Sequence, residues 1–236
     1  MSESSKTLEA MWPKASDYAV VAKLVRAGLT ESFHLGIAAL VGPDGKLVDE
    51  VGKAKRLIYP RSSVKPLQAV ATTSLGAKLE GAHLAISCGS HQGTEDHAAL
   101  VSEILEANGL DGSALHCPVA WPGDAGARKR ATAETRECFN CSGKHAAMIA
   151  TAAINGWPTA TYREPDHPLQ QRIALLVEEL SGEPIAGVTI DGCGAPLFAI
   201  STRGLARAIS RLVTSEEHGR VAAAMRAHPE MVAGTD

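Results

Sequence analysis

A Pro-Asp-Gly-Lys turn near the start of the chain constrains the fold more than any other feature of the sequence. Pro43, Asp44 and Gly45 are typical turn residues, and apolar runs flank them at residues 34–41 and 47–51. Two extended runs joined by so short a turn form an antiparallel hairpin. The sequence therefore predicts antiparallel β-structure in the first part of the chain.

Further strands and helices are predicted to interleave after this hairpin. Other strands are predicted at residues 18–25, 82–87, 188–190 and 197–201. Apolar spacing and end signals predict helices at residues 64–75, from the N-cap Thr94 to Gly109, at 144–154, from Pro168 to Gly182 and at 215–227. This mixture favours an α/β or an α+β class.

Charge and hydropathy exclude several classes of partner. Acidic residues number 26 and basic residues 23, so there is no basic surplus of the kind that binds nucleic acid or an anionic membrane. No stretch approaches the roughly 20 apolar residues of a membrane span, and the N-terminus lacks the apolar core of a signal peptide. We therefore expect a cytoplasmic protein whose five cysteines are reduced thiols. A polar tail, residues 1–17, is predicted to precede one domain at residues 18–236.

Ser62 and Lys65 are the first candidates for chemistry. A serine at the head of the predicted helix 64–75 and a lysine three residues later lie on one face. A partly desolvated lysine can lose its proton and act as base for the serine hydroxyl. This spacing also arises by chance, and on spacing alone an N-cap serine followed by a surface lysine is the favoured interpretation.

Ser90 and His91 form the second candidate pair. They follow the predicted strand 82–87 and precede a helix, a place where side chains and free N–H groups face a cleft. Ser90 is a candidate nucleophile or proton relay, and His91 is a candidate general base. A polar loop that caps the following helix explains the same residues equally well.

Three cysteines make a candidate metal site. Cys138 and Cys141 have C-x-x-C spacing, and Cys193 lies between two glycines just after Asp191. Two or three thiols with a carboxylate or an imidazole nearby fit a zinc site. A thioredoxin-like redox motif lacks its βαβ context here, and small buried thiols of a hydrophobic core are the remaining alternative.

Six segments, taken in order, resemble a single family. The chain is similar to the asparaginase II family, the rhizobial-type (class 3) L-asparaginases, from about residue 18 to its last residue. The segments that carry the resemblance are Arg61-Ser62-Ser63-Val64-Lys65-Pro66-Leu67-Gln68, Ser87-Cys88-Gly89-Ser90-His91, Asn140-Cys141-Ser142-Gly143-Lys144-His145-Ala146-Ala147-Met148, Asp166-His167-Pro168, Asp191-Gly192-Cys193-Gly194-Ala195-Pro196 and His228-Pro229-Glu230-Met231-Val232-Ala233-Gly234.

The resemblance implies a fold, a reaction and a set of site residues. The implied fold is α+β, like that of serine β-lactamases and penicillin-binding proteins, with helices packed on an antiparallel sheet. The implied reaction is hydrolysis of L-asparagine to L-aspartate and ammonia. The residues that match the family's site are the catalytic Ser62, Lys65 and Ser90, the Zn²⁺ ligands Cys141, Lys144 and Cys193, and the substrate-binding Arg61, His91 and Asp191.

The resemblance also predicts that the chain is incomplete at its C-terminus. The family continues past the segment that ends at Gly234 with further strands of the central sheet. That part also carries a second lysine, the partner of the serine that Ser90 matches. We therefore expect Ser90 to lack its base and an apolar sheet edge to be open. A homodimer is expected for a complete chain.

Two other functions stay open at this point. One is a serine acyl enzyme of the β-lactamase or transpeptidase type, against which the expected cytoplasmic location counts, because cell-wall substrates lie outside the cytoplasm. The other is a catalytically dead fragment that binds zinc. Which of Ser62 and Ser90 is the nucleophile also stays open.

Overall fold

The computed structural model describes residues 9–235. The chain divides into two compact units, which are described separately. The first contains the described residues up to Pro60, together with Val177–Thr189 and Leu197–Thr214. The second contains Arg61–Leu176, Ile190–Pro196 and the described residues from Ser215 onward. Every residue that the sequence analysis selects for chemistry lies in the second unit.

Most of the strands come before residue 61, and most of the helices come after it. In chain order the strands are β1 (Ala19–Arg26), β2 (Leu29–Gly36), β3 (Ala38–Val41), β4 (Leu47–Val51), β5 (Leu57–Ile58), β6 (Gly187–Ile190) and β7 (Pro196–Ser201). The helices are α1 (Lys65–Ser74), α2 (Gly81–Cys88), α3 (Glu95–Glu106), α4 (Ala125–Arg130), α5 (Ser142–Ile154), α6 (Pro168–Ser181), α7 (Thr202–Thr214), α8 (Gly219–Ala227) and α9 (Pro229–Val232). None of these helices is long and apolar enough to cross a membrane.

Three small sheets form within the described residues. β1 pairs antiparallel with β2, and β3 pairs antiparallel with β4. The third sheet has the order β5-β7-β6, and its middle strand β7 is buried at every residue. Small antiparallel sheets combined with many helices make the class α+β, as predicted. The comparison with the β-lactamase architecture stays a prediction.

The predicted Pro-Asp-Gly-Lys hairpin is confirmed. β3 and β4 flank the turn, and Gly45 has a φ of 75°, a left-handed value that glycine adopts without strain. The predicted strand at residues 34–41 is divided, because Gly36 ends β2 and Ala38 begins β3. One apolar run therefore contributes to two separate hairpins.

Residues 82–87 are helical, so the prediction of a buried strand there is wrong. They form most of α2, whose residues from Leu84 to Cys88 are buried. α2 packs against α1, α3, α5, α8 and α9. A short, mostly apolar run fits a buried helix as well as a buried strand, and packing against the surrounding helices decides between the two.

Most of the predicted helices begin and end close to where the sequence signals place them. The Thr94 side chain accepts the N–H of His97 and caps α3, and α6 runs from Pro168 to the residue before Gly182, as predicted. The predicted helix 215–227 begins later, at Gly219. α7 was not predicted, although it buries Ala208 and Leu212 on one face and packs against β3.

Candidate active site

Lys65 and two serines form a hydrogen-bonded chain. Lys65 is the first residue of α1, and its side chain is only 1% exposed. Its Nζ donates to the Gly89 carbonyl at 2.5 Å and to the Ser90 hydroxyl at 2.8 Å. The Ser90 hydroxyl in turn lies 2.9 Å from the Ser62 hydroxyl. The order is therefore a buried amine, a half-buried hydroxyl and an exposed hydroxyl.

This order corrects two expectations from the sequence. The Lys65 amine donates to the Ser90 hydroxyl rather than to Ser62, so the lysine reaches Ser62 through the second serine. Ser90, which was expected to lack a base, has the Lys65 amine against it. The reason is that Ser62 lies in a 3₁₀ helix, Arg61–Val64, ahead of α1, while the Lys65 amine meets the loop that follows α2.

Burial governs the protonation of Lys65. Desolvation is the largest influence and lowers the pKa of the amine, and the neighbouring Lys144 lowers it further. The nearby thiol of Cys141 opposes this shift. A buried lysine with a lowered pKa is readier to be a neutral base than a surface lysine.

The backbone of α9 lies directly against the backbone of the loop that contains Ser90. A Cβ on Gly89 would overlap the Val232 carbonyl of α9. Only glycine fits there, and Ser90 follows directly where α2 ends. Arg61, just before Ser62, has a φ of 49°, a left-handed value that is uncommon outside glycine.

Arg61 and Asp191, both predicted to bind substrate, are paired with each other. The Arg61 guanidinium lies 2.9 Å from the Asp191 carboxylate, and the arginine side chain is 67% exposed. The same carboxylate accepts the backbone N–H of Gly192. Because Arg61 directly precedes Ser62, this ion pair places two charged groups close to the serine in sequence.

His91 is buried, and protein groups occupy both of its ring nitrogens. Nδ1 accepts the N–H of Gly93 at 3.1 Å, and Nε2 lies 3.0 Å from the Ser142 hydroxyl at the start of α5. Burial is the main reason that its pKa is lowered to about 3, and His97, stacked at 4.8 Å, contributes. A substrate contact by His91 stays a prediction, and it requires one of these bonds to open.

The cysteines divide into a buried pair and an outlier. Cys141 and Cys193 belong to one buried cluster with Ala195. Lys144 Nζ lies 3.1 Å from the Cys193 sulfur, and Asp191 Oδ2 lies 3.9 Å from it. Cys138 is not a member of this cluster. Of the two cysteines with C-x-x-C spacing, only Cys141 therefore lies beside Cys193.

The thiol pair is electrostatically uneven. The Cys141 thiol and then the His145 imidazole are the main groups that lower the pKa of Cys193, while the pKa of Cys141 is raised. Cys193 is therefore the sulfur that carries negative charge first. Within residues 9–235 no group of three or more His, Cys, Asp or Glu side chains is arranged to hold a metal ion.

Two further residues of this site were not selected by the sequence analysis. His145 Nδ1 lies 2.6 Å from the Tyr162 hydroxyl, and both side chains are fully buried. His145 directly follows Lys144, so its motif could have suggested it. Tyr162 lies in no motif, and only the fold brings it to the cluster.

Comparison with known protein families gives a match over most of the chain. The model of the family described as L-asparaginase II matches residues 22–236, which is most of the chain. No curated protein matches the chain.

Proposed function

The chain belongs to the L-asparaginase II family, and on that premise we propose that it hydrolyses L-asparagine to L-aspartate and ammonia by a Ser-Lys acyl-enzyme mechanism. The family supports an amidohydrolase role. The observation that supports the mechanism is the chain of hydrogen bonds from Lys65 through Ser90 to Ser62.

The proposed nucleophile is Ser62, because it is the exposed end of this chain. The Ser62 oxygen attacks the side-chain amide carbon of asparagine, its proton passes to Ser90, and the Ser90 proton passes to the neutral Lys65 amine. The C–N bond breaks when the same path returns a proton to the leaving nitrogen, which departs as ammonia. Water then attacks the ester on Ser62, and the serine recovers its proton as aspartate leaves.

Zinc is the proposed metal, held by the Cys141 and Cys193 sulfurs and the Lys144 amine. Two thiolates and a nitrogen are donors that zinc accepts. The two cysteines share one buried cluster, and the Lys144 amine lies 3.1 Å from the Cys193 sulfur. When bound, the ion supplies positive charge that orients groups beside the serines. Lys144 must lose its proton to take this role.

The first test is ammonia release from L-asparagine by the purified chain and by single variants. Ser62→Ala is expected to abolish turnover and to remove the acyl adduct seen by mass spectrometry of the quenched reaction. Ser90→Ala is expected to slow acylation while the adduct still forms. The matched control is Ser63→Ala, since Ser63 is exposed in the same 3₁₀ helix.

Two results would contradict this proposal. An adduct on Ser90 with Ser62→Ala still active would make Ser90 the nucleophile. Acylation by a labelled penicillin without ammonia release from asparagine would favour the β-lactamase-type alternative. Zinc is tested separately by metal analysis of the chain and of Cys193→Ala, which is expected to lose the ion.

A further inference from the structure

A cavity beside α3 and α4 is used by neither the proposed reaction nor the proposed metal site. Its volume is about 310 Å³, at the lower end of the range for small-molecule pockets, roughly 300–1,000 Å³. Most of its lining side chains are small and apolar, so the space exists because the residues around it are short. These small residues are Ala98, Pro122, Ala127, Ala131 and Ala133.

Contacts between distant segments hold the wall of this cavity in place. The Gln92 carbonyl accepts the N–H of Gly123 at 2.7 Å and that of Asp124 at 3.0 Å, and the Asp124 side chain caps α4. A Cβ on Gly93 would overlap the Cys138 carbonyl, so these two lining residues are in backbone contact. The cavity is therefore formed before any ligand enters, as small-molecule sites usually are.

Two of the lining residues that the structure describes are charged, and their charges are opposite. Glu95 and Arg130 form a bidentate ion pair, with Arg130 Nε 2.7 Å from Glu95 Oε1 and Nη2 2.9 Å from Oε2. A guanidinium has five N–H donors and a carboxylate has about four acceptor positions, so each group has more positions than this pair uses. Both side chains are more than half exposed, which leaves them accessible to a molecule from solvent.

A matching ligand carries a positive and a negative charge close together and has an apolar body. A carboxylate group binds a guanidinium through parallel charge-assisted hydrogen bonds, and an ammonium group beside it donates to a carboxylate such as Glu95. In an α-amino acid both charged groups are attached to one carbon atom, and the side chain remains to fill the space between the alanines. A simple anion or a simple cation satisfies only one of the two charges.

We propose that this cavity binds a free α-amino acid with a small apolar side chain, such as valine, with its carboxylate on Arg130 and its ammonium group on Glu95. The proposal does not rest on asparagine hydrolysis, because none of the residues assigned to that reaction or to zinc lines the cavity.

The first measurement is titration calorimetry of the purified chain with L-valine and with two molecules that each lack one of its charges. Isovalerate keeps the carboxylate and isobutylamine keeps the ammonium group, and both retain the branched apolar group of valine. L-Valine is expected to bind about 10-fold or more tightly than either, because it alone forms charge-assisted hydrogen bonds with both residues. Glycine, which lacks the apolar group, is expected to bind more weakly than L-valine.

The second measurement repeats these titrations with charge variants. Arg130→Gln is expected to weaken L-valine binding about 10–100-fold and to bind L-valine and isobutylamine alike, because the carboxylate has lost its partner. Glu95→Gln is expected to bind L-valine and isovalerate alike. The controls, Lys129→Gln and Asp96→Asn, change exposed neighbours of the two residues and should bind L-valine as wild type does.

A third variant fills the cavity without changing either charge. Ala98 is half-buried on α3 and lines the cavity, whereas Ala99 is exposed on the same helix and is not a lining residue. Ala98→Leu is expected to abolish binding of L-valine, and Ala99→Leu is expected to bind it as wild type does. Melting curves followed by circular dichroism check that both variants fold.

Arg61→Gln distinguishes this cavity from the proposed active site, since Arg61 is expected to bind the substrate of the reaction. Loss of L-valine binding in Arg61→Gln but not in Arg130→Gln would place valine at the active site and overturn the proposal. No measurable binding of L-valine by the wild-type chain, or equal affinities for L-valine, isovalerate and isobutylamine, would also overturn it. Binding that is lost in Ala98→Leu and weakened in Arg130→Gln but kept in Arg61→Gln supports the proposal, whether or not the chain hydrolyses asparagine.

Discussion

At the scale of single residues, the site depends on side chains that the fold removes from water. Lys65 has its amine surrounded by the Gly89 carbonyl and the Ser90 hydroxyl, with Cys141 and Lys144 nearby. Because a charged amine is poorly solvated there, desolvation favours its neutral form. Burial thus converts an ordinary lysine into a candidate base.

Replacing Lys65 tests this base directly. Lys65→Met keeps an unbranched side chain only one atom shorter but removes the amine, so turnover of asparagine should fall about 10²–10⁴-fold, the range of general acid–base catalysis. The circular dichroism spectrum should be unchanged. Lys78→Met is the control, since Lys78 is exposed in the same unit. Retention of most activity by Lys65→Met would show that Lys65 is not the base.

His91 gives a prediction about pH and stability. Its folded pKa is about 3, whereas an unfolded histidine binds its proton near pH 6.5. Between these values the unfolded state binds more protons, so stability falls as pH drops through that window. Melting temperatures measured from pH 7 to pH 3 should fall less steeply for His91→Gln than for wild type.

The control for His91 is another histidine. His34→Gln changes an exposed residue of β2 and should leave the slope unchanged. If His91→Gln and wild type lose stability in parallel over the whole range, His91 is not held neutral by its surroundings.

At the scale of elements, α2 is the organising helix of the second unit. It packs against five other helices and ends at the loop that presents Ser90. Gly89 lets the backbone of α9 approach that loop, and His97 of α3 meets the Glu230 carbonyl of α9 at 2.9 Å. The geometry of the serines therefore depends on how α9 is seated.

Gly89→Ala tests this dependence. The added methyl group overlaps the Val232 carbonyl, and overpacking of this kind typically costs about 1–3 kcal/mol of stability. We expect a lower free energy of unfolding by denaturant titration and a loss of turnover as the Ser90 loop shifts. Gly126→Ala, inside α4, is the control, since its added methyl group meets only the ends of the Asp124 and Arg130 side chains, at 3.2 and 3.4 Å, and a much smaller change is expected. A Gly89→Ala chain with wild-type stability would mean that α9 does not press on this loop.

The β1–β2 hairpin is expected to be the least protected element of the first unit. Nearly all of its residues are exposed, and two-stranded hairpins are marginally stable on their own. Its backbone amides should exchange with deuterium much faster than those of β7, which is buried and paired on both sides. Equal protection would show that something covers the hairpin in solution, as the predicted homodimer could.

At the scale of the whole molecule, buried charge makes stability depend on pH. Asp17, within the predicted polar tail, is buried in the first unit with its carboxylate 2.8 Å from Lys53 Nζ and 2.7 Å from Arg56 Nε. Hydrogen bonds from Lys53 and from the Lys14 backbone are the largest causes that lower its pKa. A carboxylate with a lowered pKa stabilises the fold above its unfolded pKa and loses that effect as pH falls.

Asp17→Asn should therefore destabilise the chain in a pH-dependent way. We expect a lower melting temperature than wild type at pH 7, and a difference that shrinks as pH falls below about 4, where an unfolded aspartate takes up its proton. Asp49→Asn, at an exposed position on β4, is the control. A difference that stays constant down to pH 2 would mean that the charge of Asp17 is not what matters.

The elements that the sequence predicts correctly are those whose signals lie within a few adjacent residues. The β3–β4 turn, the Thr94 cap and the ends of α6 follow from the preferences of a few adjacent residues, and the motifs selected most of the candidate site. The i, i+4 and i+7 spacing of Leu205, Ile209 and Leu212 also carried a signal for α7.

Only the tertiary structure decided which of these residues meet. Residues 82–87 are mostly apolar and short, so packing against neighbouring helices, not their pattern, makes them a helix. The side-chain partner of Lys65 is a serine 25 residues away. Tyr162 contacts His145 although it belongs to none of the motifs. Such contacts depend on how distant segments pack together. A pattern of a few adjacent residues does not determine which distant segment they will contact.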